Sequence, residues 1–274
     1  MKNTAGVLVV VGSGGIGLAI ARRMGSGHHI VLADFSGKQL ETNMESVQNL
    51  VQHVAKIGPI RAIAHTAGLT PVQTSADQIY QVNLLGAAQV IEGGFPQATA
   101  GTAMVVISSI AGHGKHSEVS PEFEKHLAIA PSNELLLRPE FDTSKDNSDE
   151  AAKEYFSRMI AYAVSKRANI VCVQAAASAW GNKGARINSV SPGAIATTIG
   201  RQEIAGPIGG PAIKEAIART PAKRIGSPID IANVVAFLSS PEASFITGND
   251  IMVDGGWVMG LVRQMAETTL AGEK

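Results

Sequence analysis

The chain has 274 residues, 23 Lys plus Arg against 23 Asp plus Glu, and is 45% hydrophobic with only 4% aromatic residues. Zero net charge without a basic stripe argues against nucleic acid or an anionic membrane surface as partner, and no stretch approaches the apolar run that a membrane span needs. The length suffices for one large domain with a well-buried core, expected to be cytoplasmic.

Short β-rich runs alternate with helical spacing along the chain. Gly6–Val11 reads as the first strand, too short and too poor in basic flanks for a signal peptide. It enters Gly12-Ser13-Gly14-Gly15-Ile16-Gly17 and a helix over Gly15–Met24. Residues 29–33 predict the second strand, ended by Asp34. Between Asp34 and His65 there is room for a weak strand at 39–42 and one helix at 46–57, so a crossover helix is missing or reduced there. Strands at Ile60–His65, 102–107, 186–190 and Asp250–Val253 follow, with helices at 78–92, 159–180 and 229–238. This alternation is that of a doubly wound parallel α/β sheet with right-handed crossovers.

Residues 112–158 interrupt the spacing as a long insert. Ser120-Pro121-Glu122 in it is a helix start with Pro at the first position, and Asn147-Ser148-Asp149-Glu150 is a second start leading towards Tyr162. Residues 258–274 form a C-terminal extension of weak helical pattern. Without a repeat or low-complexity linker, 1–274 reads as one domain.

Three features carry chemistry. The glycine run lies between a strand and a helix, where the backbone can turn tightly and approach a pyrophosphate at the helix N-terminus. Asp34, at the end of the next strand, can accept both hydroxyls of an adenosine ribose and repels a 2′-phosphate, which favours NAD over NADP. Tyr162 and Lys166 stand four apart in a helical pattern, so phenol and ammonium share a face, and the positive charge favours the phenolate. Cys172, alone of its kind, reads as a small core residue. His113, His116 and His126 lack the companions of a metal site, so none is expected.

These segments, in this order, resemble the short-chain dehydrogenase/reductases of the classical type. The resemblance runs from about residue 5 to 257 and rests on several motifs besides the glycine loop. They are His65-Thr66-Ala67-Gly68, Asn83-Leu84-Leu85-Gly86, Ile107-Ser108-Ser109-Ile110-Ala111-Gly112, Tyr162-Ala163-Val164-Ser165-Lys166, Arg186-Ile187-Asn188-Ser189-Val190-Ser191-Pro192-Gly193 and Asp254-Gly255-Gly256. It implies a Rossmann-like domain with a seven-stranded sheet and reversible hydride transfer between NAD(H) and an alcohol or ketone. Tyr162 would be the acid/base and Lys166 would lower its pKa while holding the nicotinamide ribose. Ser109 would bond the substrate oxygen, and Asn83 would anchor a water leading from Lys166. Gly12, Ser13, Gly15, Ile16, Gly17, Ala67, Gly68, Pro192, Ile195 and Thr197 match cofactor-binding positions.

The chain departs from that pattern at Val11, where the family has threonine before a loop one residue longer, and at His65-Thr66, where it has asparagines. The acidic residue that meets the adenine has no clear match, with Glu41 or Asn43 as stand-ins. The insert, between Ser109 and Tyr162, is expected over or beside the active-site mouth. Phe123, Leu127, residues 135–137 and Phe141 would line a pocket or lid there, or make an oligomer contact instead. Some hydroxysteroid dehydrogenases of the family carry an insert here, which makes a bulky apolar alcohol a candidate. A homotetramer or homodimer is implied. Rival readings are a non-catalytic nicotinamide sensor or scaffold, and an epimerase or dehydratase using the same Tyr–Lys pair.

Overall fold

The computed structural model describes residues 6–34, 43–72, 74–142 and 151–260. The core is a parallel sheet in the order β2-β1-β3-β4-β5-β6. Its strands are β1 (Gly6–Val11), β2 (His28–Ala33), β3 (Ile60–His65), β4 (Ala103–Ile107), β5 (Arg186–Pro192) and β6 (Asp250–Val253). Side chains alternate across a strand, and β1 and β4 are apolar throughout because both their faces are covered. Val7, Val9 and Val11 of β1, with Met104 and Val106 of β4, pack under α2 (Met44–Ile57), α4 (Gly86–Gly94) and α6 (Ala151–Asn182). Leu8 and Val10, with Val105 and Ile107, face α1 (Gly15–Met24) and α9 (Pro228–Ser239) on the other side.

The described residues hold six strands, against the seven the family resemblance implies. Among the described residues, α2 is the helix between β2 and β3, and β2 has β1 as its one neighbour in the sheet. The strand expected at 39–42, Phe35 and Glu41 lie outside the described residues. Asn43, the other candidate for the adenine, caps α2, its Oδ1 accepting the Ser46 N–H at 2.7 Å.

The sheet places β1 between β2 and β3, so successive crossovers leave it in opposite directions. A crevice opens outside the carboxyl ends of the strands at such a reversal, and ligands bind there. The glycine loop after β1 and the turn after β3 meet at this point.

The insert has its own destination. Helix α5 (Pro121–Ile129) begins at Ser120, whose Oγ accepts the Phe123 N–H at 3.1 Å, as its sequence predicts. Phe123, Leu127, Leu135 and Phe141 are buried against Tyr80, Leu84 and Ala88 on one side and Val164, Ala168 and Val171 of α6 on the other. Phe141 and Phe123 stack edge-to-face, 5.0 Å apart. Ser132 Oγ donates to the Glu92 carboxylate at 2.7 Å and Arg167 pairs with Glu124, fastening the segment to the outer faces of α4 and α6. These four apolar residues therefore build a third core cluster behind the Tyr162 helix rather than a pocket wall. Leu137 stays exposed. The start expected at 147–150 lies outside the described residues, as does the extension beyond Gly260.

Candidate active site

The dinucleotide-type loop is shaped by close approach. Gly12 has φ +99°, and a Cβ on it would lie 2.5 Å from the Ala67 nitrogen. A Cβ on Gly17 would come within 1.9 Å of the Gly12 carbonyl oxygen, so any side chain there would drive the loop from the helix. Thr66 Oγ1 donates to that same oxygen at 2.7 Å, and Val11 O accepts the N–H groups of Thr66 and Ala67 at 2.7 and 2.9 Å. Thr66, which replaces the family's asparagine, thus ties the two loops of the crevice together. No side chain caps the start of α1, so its first turn keeps N–H groups available for an anion. Ile16 packs its part-buried side chain on the α1–α9 face of the sheet. Asp34 Oδ2 accepts the Ser13 N–H at 2.9 Å and the Ser13 hydroxyl, which holds the carboxylate at the rim of the loop.

Across the crevice, Thr197 caps α7 (Thr198–Ala205), its Oγ1 accepting the Gly200 N–H at 3.0 Å. Its methyl group faces Gly15, where a Cβ would lie 2.9 Å from Thr197 Cγ2. Pro192 ends β5 against Val253. Ile195 is buried, its side chain packed in the inner cluster.

The residues expected to do chemistry converge beside this crevice. Ser109 follows β4, and its hydroxyl stands near enough to the Tyr162 phenol to favour the phenolate. Lys166 is buried, 5.7 Å from the centre of the Tyr162 ring, and its Nζ donates to the Ile107 carbonyl at 3.1 Å. Ser108 holds this arrangement, its Oγ donating to the Lys166 carbonyl at 2.7 Å. Gly112 packs against the α6 backbone at the same level, where a Cβ would lie 2.9 Å from the Lys166 carbonyl carbon. On the other side of Lys166, a Cβ on Gly68 would sit 3.3 Å from Nζ and 3.3 Å from Asn83 Oδ1. Asn83 is fully buried; it accepts the Leu69 N–H at 2.7 Å and donates to the Leu69 carbonyl at 2.9 Å. It lies in a π-helical turn, Tyr80–Leu85, leading from α3 (Ala76–Ile79) into α4. Such widened turns recur at functional sites.

The electrostatics differ from the sequence expectation. Burial pushes the Tyr162 phenol above its ordinary value, the Glu203 carboxylate adds to that, and only the neighbouring Ser109 hydroxyl opposes it. Burial also brings Lys166 down to about 8. In the free protein the phenol is therefore raised, not lowered.

His65 is fully buried beside Lys166. Among the described residues neither of its ring nitrogens has a hydrogen-bond partner, and burial, with the Lys166 charge second, brings it down to about 3. Cys172, pushed up to about 12 by burial, donates to the Leu127 carbonyl at 3.3 Å. The three insert histidines have separate partners: His113 bonds Asp250 at 2.8 Å, His126 meets the Leu135 carbonyl at 2.9 Å, and His116 packs on Phe156. Sequence reasoning missed Glu203 and Tyr155 at the site, since neither lies in a motif.

Comparison with known proteins extends the likeness over nearly the whole chain. Residues 147–258 match the family described as Enoyl-(Acyl carrier protein) reductase. A short-chain dehydrogenase/reductase of Alternaria brassicicola is 36% identical over 283 residues, covering 93% of this chain and 97% of that protein. A 3-alpha-hydroxysteroid dehydrogenase/carbonyl reductase of Comamonas testosteroni is 30% identical, covering 91% and 95%. The crystal structure of the 3-alpha-hydroxysteroid dehydrogenase from Pseudomonas sp. B-0831 complexed with NADH shares the fold, with a TM-score of 0.77 at 24% identity over 92% of this chain and 98% of that one. Near-full-length relatives at this identity mean that the chain belongs to the short-chain dehydrogenase/reductase family of oxidoreductases.

Proposed function

We propose that this protein transfers hydride reversibly between NAD(H) and a secondary alcohol or its ketone. The observation that carries the reading is the meeting of the Ser109 hydroxyl, the Tyr162 phenol and the Lys166 ammonium beside a loop whose Gly12, Gly15 and Gly17 leave no room for side chains. A nicotinamide cofactor, when bound, supplies the hydride acceptor or donor. The residues fit such a group: an uncapped helix start for its pyrophosphate, and a carboxylate, Asp34, at the position for an adenosine ribose. Gly12, Ser13, Gly15, Ile16 and Gly17 would surround the pyrophosphate. Ala67 and Gly68 would lie under the adenosine side, and Pro192, Ile195, Thr197 and Lys166 would flank the nicotinamide end.

Charge develops on one substrate oxygen when a carbonyl forms or is consumed. Ser109 and Tyr162 offer two donors to it, the arrangement this reaction needs. Tyr162 gives its proton to that oxygen in reduction and takes one in oxidation. With the cofactor bound, Lys166 would supply the positive charge that favours the phenolate, and Asn83 fixes the Leu69 turn beside it. The name of the Comamonas relative supports a ring alcohol such as a hydroxysteroid as the kind of substrate. A panel of cyclic and open-chain ketones with NADH, followed by cofactor absorbance, tests the reading. Oxidation of NADH by at least one ketone is expected, and inertness towards all of them favours the sensor or scaffold.

A further inference from the structure

Glu203 lies within α7, part-buried, and among the described residues its carboxylate has neither a hydrogen-bond donor nor a cation partner. The surroundings of α7 place it at the substrate side of the crevice. The helix starts at Thr197, against the glycine loop. Its far end meets the segment after β3, where a Cβ on Gly206 would lie 3.9 Å from Val72 Cγ1. Tyr155 reaches across from α6 to the link between α7 and α8 (Gly210–Arg219), so that a Cβ on Gly209 would stand 2.3 Å from its hydroxyl oxygen. Tyr155 and Tyr162 are two turns apart on one face of α6, and both phenols are raised by burial first and by the Glu203 charge second. Helix α7 thus brings Glu203 to the side of the crevice that Tyr155 borders. The nearby cation of α6, Arg158, is engaged elsewhere, with Glu154 at 3.4 Å.

A carboxylate withdrawn from water without a donor is costly, and the cost is relieved when a ligand brings one. Burial pushes Glu203 up to about 7, so carboxylate and acid forms both occur near neutrality. A hydroxyl suits both, donating to the one and accepting from the other, whereas an ammonium suits only the first.

We propose that Glu203 is a specificity-determining residue that hydrogen-bonds a second hydroxyl of the substrate, so that the preferred substrates are diols and the matching hydroxy ketones. This rests on the dehydrogenase reading above and refines its substrate class. The test is calorimetric binding of trans-cyclohexane-1,4-diol and of cyclohexanol to the protein saturated with NAD+, with NADH formation followed on the same samples. The unmodified protein should bind the diol at least about tenfold more tightly, as a site with a charged acceptor does. Glu203→Leu should bring the two affinities within about twofold, and Glu203→Gln, the variant least disturbing to α7, should fall between. Equal affinities in the unmodified protein, or a preference that survives both substitutions, would overturn the proposal. Loss of the preference without NADH formation by either alcohol leaves Glu203 in its role and removes the dehydrogenase reading. Oxidation with a preference independent of Glu203 does the reverse.

Discussion

The Ser13 N–H and hydroxyl both donate to one oxygen of Asp34, so the residue that ends β2 is fastened to the loop that follows β1. That contact sets where a ribose diol could be received and where a 2′-phosphate would meet a negative charge.

Asp34→Ala should therefore shift the NADPH-to-NADH ratio of kcat/KM upwards by at least about tenfold, the scale of a lost charge-assisted contact together with a relieved repulsion. Steady-state kinetics with both cofactors checks this. A preference for NADPH in the unmodified protein would contradict the assignment of Asp34.

The insert should act on stability rather than on substrate affinity. Leu127 is 1% exposed and touches the α6 side of the third core cluster. Leu127→Ala should cost about 2–5 kcal/mol in urea unfolding, as buried leucine truncations do, while KM for a ketone substrate moves less than about twofold. A large rise in KM at unchanged stability would return these residues to the pocket wall.

His65 makes acid stability a readout of the site. Its value falls from 6.5 to about 3 on folding, chiefly by burial. The unfolded chain thus takes up a proton below pH 6.5 while the folded protein does not, and stability falls with pH across the window from 6.5 to about 3. The slope is about 1.4 kcal/mol per pH unit. Between pH 7 and pH 5 the unmodified protein should lose about 2 kcal/mol more than His65→Asn, measured by urea unfolding at both values. Equal losses would show that His65 is already protonated in the folded protein.

Much of this architecture is legible in the chain. Strands such as β1 and β4 announce themselves as short apolar runs because helices cover both their faces, and Gly12-Ser13-Gly14-Gly15-Ile16-Gly17 marks a loop that admits no other residues at its tight points. The convergence of Ser109, Tyr162 and Lys166 follows from motif order. The fate of the insert does not, because Phe123 and Leu127 at helical spacing say that a face is buried but not against what. The described residues hold six strands against the seven of the family, and the weak strand expected at 39–42 lies outside them. Glu203 escaped notice for a different reason. It is an ordinary acidic residue on a short amphipathic helix, and only the fold brings it to Tyr155 and Tyr162.

The central claim, hydride transfer at Tyr162, is tested most directly by isotope. The protein is incubated with a ketone and NADH deuterated at both C4 positions of the nicotinamide, and the alcohol product is examined by mass spectrometry. One deuterium should appear on the carbinol carbon, and Tyr162→Phe should slow its appearance at least about a hundredfold while NADH binding is retained. Absence of deuterium from the product, or incorporation at an undiminished rate in Tyr162→Phe, would contradict the account.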